Sequence, residues 1–579
     1  YLYGRLVRHL SRNIKEYGRK TGKEIHFYVA THSLVNYAQW KIMSPESRLL
    51  DVDEVDGFIA QVWTGTSGTG NVYEGHYKSR TFETAYLEYG IMQELVKGTD
   101  KEVWFLQDPV EDNPEHGWEE YADKYKKTLT AALFWPDVDH YEVCPWPNRV
   151  FKGRYPRKVG LAEGMIPTED MEGAKNIPDT YATFLAGMIQ TLGDMTKEES
   201  ETEKDAVGVF LADSCMYQRT YPDQVEHHGQ KINLSGMEDW MNRLIFQKEE
   251  ERQLLLSMEK MEYAYKECCA FPDWFGLTLP LLKYGLPIQP VYFDHMVRYE
   301  EYLRKYRYLI LSYEFMKPES EEFHHKLVEW VKQGGTLFYI GKDFDPYNYL
   351  QEWWQKFSCD TPAQHLFAEF GMDKEPANGC YRIGEGNVLV WNEVPALLSV
   401  NEAIADKYRN WIREGLKMGG YHWNMCNYLS VRRDPYIVIA SMQESDTGSV
   451  YTKEGLFVDL YEDKYPVVER VLVEPGQEKL LFDLEKIKED VRIIATAARI
   501  ENMACENGQL SIEAKAIDHI QVNMRIRLPG KPEDLCAHTE SGKNMELQSV
   551  WDEKSRTVLL SYRSNNEKVH ITGKLKYES

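Results

Sequence analysis

The sequence predicts an α/β protein in three parts: the C-terminal half of a (β/α)8 TIM barrel, a flavodoxin-like α/β domain, and a C-terminal β-sandwich region. Three observations predict it. Short apolar runs alternate with amphipathic helical stretches over the first part of the chain, the pattern of parallel βα units. The order strand, helix, Gly-Gly, strand across 308–340 is a doubly wound signature. After about residue 427 the helical period gives way to strand-length runs spaced by turn residues. The expected boundaries are 1–195, 206–425 and 427–579, the last holding one or two sandwiches.

In order along the chain, Tyr3, Val7, Leu10, Ile14 and Tyr17 recur at helical spacing, and Gly18 and Gly22 are expected to close that helix. Strands follow at 25–30, 57–63, 103–106 and 141–143. Between them lie a helix striped by Phe82, Tyr86, Tyr89 and Leu95, and a second over 118–134. A last helix covers 181–192. Four strands make either a small open sheet or half of a closed barrel, which needs eight. The long, chemically loaded loops after these strands favour the half barrel, with its first half upstream of Tyr1. The chain opens on Tyr inside a domain, as a processed chain or a fragment would.

A charged linker, 196–205, is expected to separate this part from the next. Then come a strand at 206–211, a helix at 271–284 closed by Gly285, and a strand at 308–312. A helix over 321–332 follows, with Ser320 as its expected N-cap, and Gly334-Gly335 leads into a strand at 336–340. Eight further runs, from 436–442 to 569–575, read as the all-β region.

The net charge of −24 disfavours nucleic acid and anionic membrane surfaces as partners and suits a neutral or cationic ligand, or simply solubility. No apolar run approaches the length of a membrane span, and no signal peptide is visible. Nine cysteines without metal-type spacing read as free thiols in a reducing compartment, which gives a cytoplasmic expectation. Aromatic residues reach 13%, with 15 Trp and 38 Tyr, whose flat faces fill cores or stack against sugar rings.

In a (β/α)8 barrel, function sits at the C-terminal strand ends. After the first strand stand Thr31, His32 and Ser33, and after the second Gln61, Val62 and Trp63. After the third stand Gln107, Asp108, Pro109, Val110, Glu111 and Asp112. Around the fourth are Glu142, Trp146 and Arg149. Strand alternation groups Trp104, Leu106 and Asp108 on one face. Such a rim supplies hydrogen-bonding groups and flat faces for sugar hydroxyls and rings. Glycoside hydrolysis uses two carboxyl groups across the scissile bond. Asp108 leads as nucleophile or base, with Glu111 and Glu142 as rival catalytic carboxylates. His32, Gln61, Trp63, Gln107, Trp146 and Arg149 are the expected substrate-binding residues. Each also has a structural reading: an Asp-Pro turn, a buried histidine, core tryptophans, an Arg149–Glu142 ion pair.

No cofactor or metal is expected. The adjacent pairs His227-His228 and His324-His325 are not chelates, because helical neighbours do not share a face. Gly341-Lys342-Asp343 lacks the rest of a phosphate loop, G-x-S-x-G is absent, and Cys215 lacks the glycines of a nucleophile turn.

With YLILS at 308–312 and KLVEWVKQGGTLFYIG at 326–341, the chain resembles β-galactosidases whose barrel precedes a trimerisation domain. That middle domain is similar to class I glutamine amidotransferases without their active site. Lacto-N-biose phosphorylases have a similar layout. The resemblance spans about residues 1–420 and is sharpest over 308–341. It implies a carbohydrate substrate and a homo-oligomer, trimer or dimer. It also implies that the four strands are the fifth to eighth of a barrel, so that Asp108 follows the seventh, where that clan carries its nucleophile. The chain departs in having Asp where most of the clan has Glu, and in lacking the segment that would hold the acid/base. The leading expectation is therefore a glycoside hydrolase acting on a neutral, galactoside-like oligosaccharide. A phosphorylase and a non-catalytic sugar-binding or assembly protein stand as alternatives.

Overall fold

The computed structural model describes residues 2–40, 42–110, 116–159, 167–195, 207–220, 224–227, 230–233, 271–343, 345–349 and 352–576. The chain opens with helix α1 (Leu2–Thr21), then β1 (Tyr28–Thr31), the short α2 (Leu34–Gln39), β2 (Gly57–Ala60) and the single turn α3 (Thr64–Ser67). A hairpin, β3 (Gly70–Tyr73) and β4 (His76–Ser79), leads into α4 (Thr81–Val96). Next come β5 (Glu102–Gln107), α5 (Trp118–Leu133), β6 (Tyr141–Val143) and α6 (Pro147–Phe151). A second hairpin, β7 (Arg154–Val159) and β8 (Pro167–Asn176), precedes α7 (Asp179–Asp194).

Strands β1, β2, β5 and β6 form one parallel sheet in that order. All four therefore end on the same edge, as the sequence pattern requires. Gly22, at φ +67, closes α1; Gly18 does not, lying inside the helix where a Cβ would sit 2.7 Å from the Lys23 carbonyl. The apolar stripe of α1 is solvent-exposed at Leu6, Leu10, Ile14 and Tyr17.

The middle part builds a six-stranded sheet from β9 (Val207–Leu211), β12 (Ile288–Tyr292), β13 (Tyr308–Leu311), β14 (Thr336–Ile340), β15 (Gly379–Ile383) and β16 (Gly386–Trp391). The hairpin β10 (Gln224–His227) and β11 (Gln230–Asn233) stands apart from it. The order is β12-β9-β13-β14-β16-β15, parallel except for β15. Placing the first strand between the second and third is the flavodoxin-like arrangement. The helix before β12 runs Pro272–Leu282 and is followed by Gly285 at φ +76; the one before β14 runs Glu322–Lys332. Glu321, not Ser320, occupies the cap position of the latter.

The C-terminal part has two units. Strands β17 (Tyr428–Arg433), β18 (Tyr436–Ser441), β19 (Tyr451–Asp459), β20 (Val467–Val473) and β21 (Glu478–Asp483) form one antiparallel sheet. Its inner face (Val438, Val458, Leu480, Phe482) packs against Tyr121, Tyr125 and Leu129 of α5 and Phe184 and Met188 of α7. The rest, β22 (Arg492–Thr496) to β30 (Val569–Lys576), is a sandwich of a four-stranded and a five-stranded sheet closing on Ile512, Val522, Met524, Leu560 and Ile571.

The linker 196–205 lies outside the described residues. The bodies on either side of it share one apolar core, running from Phe58, Tyr89 and Phe105 to Val209, Leu282 and Ile310. Helix α4 lies between them. The sequence suggests one apolar stripe on it; in the structure all sixteen of its residues are buried, because a sheet covers each side. The Tyr86 hydroxyl donates to the Ile288 carbonyl (3.0 Å), and His295 Nε2 lies 2.8 Å from the Leu95 carbonyl oxygen.

Candidate functional site: the rim of the parallel sheet

The C-terminal edge of β1-β2-β5-β6 is tied by backbone and side-chain bonds that fix where each rim residue sits. The Gln61 N–H donates to the Thr31 carbonyl at 2.8 Å. His32 follows β1, half-buried, with Nδ1 3.2 Å from the Gln61 carbonyl oxygen and its ring edge-on to Tyr37 and tilted against Trp40. Ser33 caps α2 by accepting the Asn36 N–H at 3.1 Å. Trp63, half-buried, begins α3. The Thr66 hydroxyl accepts the Trp63 N–H at 3.1 Å and reaches the Gln61 and Trp63 carbonyls, which closes that turn. Two neighbouring strand ends thus present His32, Gln61 and Trp63 on short, internally bonded turns.

Strands β5 and β6 bring the carboxylates. Leu106 faces Glu142 and Gln107 faces Val143 in the register, and the Cys144 N–H donates to the Gln107 carbonyl at 2.9 Å. Paired residues of a parallel ladder share a face, so Trp104 and Leu106 lie on the face of Glu142; Asp108 follows the strand, with Cys144, Tyr125 of α5 and Tyr181 of α7 near enough to feel its charge. Asp108 is 1% exposed, and its Oδ1 accepts the Val110 N–H at 3.2 Å, the Asx-type turn that Asp-Pro favours. Its charge, second to burial, helps push the Cys144 thiol up to about 12. Glu142 is half-buried, and desolvation alone raises its carboxyl above the ordinary range. The expected Arg149–Glu142 ion pair does not form.

Gln107 is turned away from the rim. It is fully buried, and its Nε2 donates to the Tyr89 hydroxyl at 2.7 Å, while that hydroxyl reaches the Val62 and Leu106 carbonyls. Odd positions of β5 face α4, and this is why Gln107 holds strand ends together instead of facing a ligand. Trp146 is 59% exposed at the start of α6, and Arg149 lies within that helix. Glu111 and Asp112 fall outside the described residues.

Two further features escape the sequence reading. On the same face as Leu106 and Glu142, towards the opposite edge, Trp104 packs on Tyr28 (5.6 Å) and His140 (5.0 Å). The Glu102 carboxylate accepts from the Tyr28 hydroxyl and the Trp104 indole. Behind the rim, Glu88 of α4 is fully buried with Ser33, Asn36 and Thr66 around its carboxyl. Among the described residues no group of three or more His, Cys, Asp or Glu side chains is arranged to hold a metal ion. None of their helices is long and apolar enough to cross a membrane. His324 and His325 diverge as helical neighbours should. His324 sits inside against Tyr313 and His365, and His325 faces Glu369.

No protein-family model and no curated protein sequence matches the chain. Solved structures similar to it include the β-galactosidase from Bacillus circulans sp. alkalophilus, at 11% identity and a TM-score of 0.40, covering 82% of this chain and 66% of that one. They also include the GH42 β-galactosidase Gan42B, at 10% identity and a TM-score of 0.33, covering 79% and 63%. A third is the GH42 exo-carrageenase from Bacteroides ovatus, at 9% identity and a TM-score of 0.34, covering 77% and 51%. The chain thus spans between about half and two thirds of the length of these structures.

Proposed function

We propose that the chain is a glycoside hydrolase acting on a neutral oligosaccharide at the rim of its parallel sheet. What supports this reading is a carboxyl just after β5, Asp108, and another within the adjacent strand β6, Glu142, in unlike surroundings. Two carboxyls whose environments set their proton affinities apart are what acid-plus-nucleophile chemistry requires. Glu142, desolvated and with no ion pair among the described residues, keeps its proton to higher pH and serves as the acid that protonates the leaving oxygen. Asp108, held by the Val110 N–H, attacks the anomeric carbon or deprotonates water. Trp63 supplies a stacking face, and His32, Gln61 and Arg149 hold hydroxyls. Burial of Gln107 removes it from this set. A galactoside is the first substrate to try. The acidic surface, with a net charge of −24, suits uncharged sugars.

The test is turnover of aryl glycosides, an aryl β-galactoside first, by the whole chain and by its Asp108→Asn and Glu142→Gln variants. Loss of an essential nucleophile costs about 10³-fold or more in kcat. Asp108→Asn activity within about tenfold of the parent removes Asp108 from the mechanism. Loss in Asp108→Asn with retention in Glu142→Gln moves the acid to another residue.

A further inference from the structure

A cavity of about 270 Å³ lies where the three parts of the chain meet, at the opposite edge of the first sheet from the rim. Helix α4 and the turn between α5 and β6 line it from the first part, Gly285, Pro287 and Gln289 from the second, and β17 from the third. Its walls are largely apolar. The Tyr86 and Trp135 rings lie 4.9 Å apart, with Phe134, Leu429 and Val431 beside them. The Tyr86 hydroxyl already donates to the Ile288 carbonyl at 3.0 Å, and the Trp135 indole to the Tyr86 carbonyl at 3.1 Å. These rings therefore offer the cavity apolar surface alone.

Two lining side chains hold a buried polar atom without a partner among the described residues, and both atoms are acceptors. They are Oε1 of Gln93, which is 6% exposed, and Oε1 of the half-buried Gln289. Gln93 Nε2 donates to Asp137 Oδ2 at 3.3 Å, which sets a carboxylate beside the first of them. No lysine, arginine or histidine lines the cavity, and Lys97 approaches Asp137 only to 3.6 Å, from the groove outside. A buried amide oxygen without a donor is costly, and the soft terminal torsion of glutamine lets it turn towards a guest. Two amide oxygens and a carboxylate match the three N–H groups of a primary ammonium. An alcohol brings one donor, and a carboxylate or phosphate ligand brings none. Aromatic walls hold the apolar body of such a cation, and the net charge of −24 draws cations in. Gln93 and Asp137 also line the open groove of about 730 Å³ along the N-terminal ends of β5 and β6, which gives the way in. We propose that this cavity binds a small organic primary amine, its ammonium among Asp137, Gln93 and Gln289 and its body against Phe134 and Trp135. Neither the rim nor its chemistry enters the proposal.

The experiment titrates 2-phenylethylamine into the whole chain near neutral pH by calorimetry, with 2-phenylethanol and D-galactose as comparisons. One amine is expected to bind per chain, at least about tenfold tighter than the alcohol, which keeps the body and lacks the charge. Cys426, half-buried and lining the cavity, reports the place. The amine is expected to slow its alkylation by iodoacetamide, while the exposed Cys380 and Cys536 react as before. Asp137→Asn keeps the size and removes the charge, and Gln289→Leu removes one acceptor. Each is expected to weaken the amine at least about tenfold. If circular dichroism shows Gln289→Leu unfolded, Asp137→Asn decides alone. No heat from the amine up to about 5 mM overturns the proposal, and so does an alcohol that binds equally well. Binding that leaves Cys426 alkylation unchanged, or that survives undiminished in Asp137→Asn, puts the amine elsewhere and overturns it too. Protection of Cys426 by galactose and not by the amine makes the cavity a sugar site and ends the case for a cation.

Discussion

Arg80 grips Glu444 with two charge-assisted hydrogen bonds, Nε to Oε2 at 2.8 Å and Nη2 to Oε1 at 2.9 Å, across 364 residues of sequence. Arg80 stands at the start of α4 and is 4% exposed; Glu444 follows β18 at φ +62. The pair fastens the first part of the chain to the five-stranded sheet. Arg80→Ala leaves a largely buried carboxylate facing Lys283 and Lys78 alone, and should cost about 3–5 kcal/mol in denaturant unfolding.

The pH dependence of that fastening has a definite sign. Burial opposes the Glu444 charge, but Arg80, Lys283 and Lys78 outweigh it and hold the carboxyl well below the ordinary range. A depressed folded value means stability that is present above the unfolded value of about 4.3 and lost as pH falls below it. Acid unfolding of the parent should therefore be steeper below about pH 4 than that of Glu444→Gln, measured by circular dichroism across the acid range.

Lys283 is 1% exposed and lies 2.9 Å from Glu444 as well as against Glu83. Lys283→Met removes the one cation shared by two carboxylates. A loss of about 3–5 kcal/mol is expected, and Glu83→Gln in the same chain should restore part of it. A purely additive double variant would show that the two groups do not interact.

Glu314 follows β13, where β9, β13 and β14 direct several carboxyls to one edge. Burial, then Asp345 and Asp343, push its carboxyl far up, while Lys317 opposes them. A raised folded value in an acid reverses the sign: the folded chain holds a proton that the unfolded chain has released. Stability falls as pH rises from about 4.3 towards the folded value. Glu314→Gln should melt higher than the parent at pH 8 and show a flatter dependence between about pH 5 and pH 8. Equal melting temperatures at pH 8 would refute this.

If Glu142 donates the proton, its raised carboxyl sets the alkaline limb of kcat/KM. Glu142→Gln should then depress turnover of glycosides with poor leaving groups far more than of activated aryl glycosides, which need little protonation. An equal fall for both classes would assign Glu142 a structural part.

Much of the architecture could be read before the structure. Strands at 141–143, 336–340 and 467–473 fall where their runs place them; only the one at 336–340 is buried on both faces, which leaves a continuous apolar run. The hairpins β3/β4 and β7/β8 went unread. Their side chains are largely polar (β4 is His-Tyr-Lys-Ser, half-buried at best), so no alternation betrays them. That His32 and Asp108 directly follow strands was legible, since each stands after an apolar run, but the burial of Asp108 was not. Gln107 misled because one residue of register decides whether a side chain faces a ligand or a helix. Glu88 was silent because nothing local separates a buried glutamate from a solvated one; only the sheets packed on both sides of α4 make the difference.

The core that α4 shares with both sheets implies a common fate. Neither sheet can shed water from its own flank without the other's help, so a polypeptide divided between 195 and 207 would yield two sticky remnants in place of two autonomous modules. Heat should dismantle both sheets in a single calorimetric event, and mutational drift in one is answerable to the other.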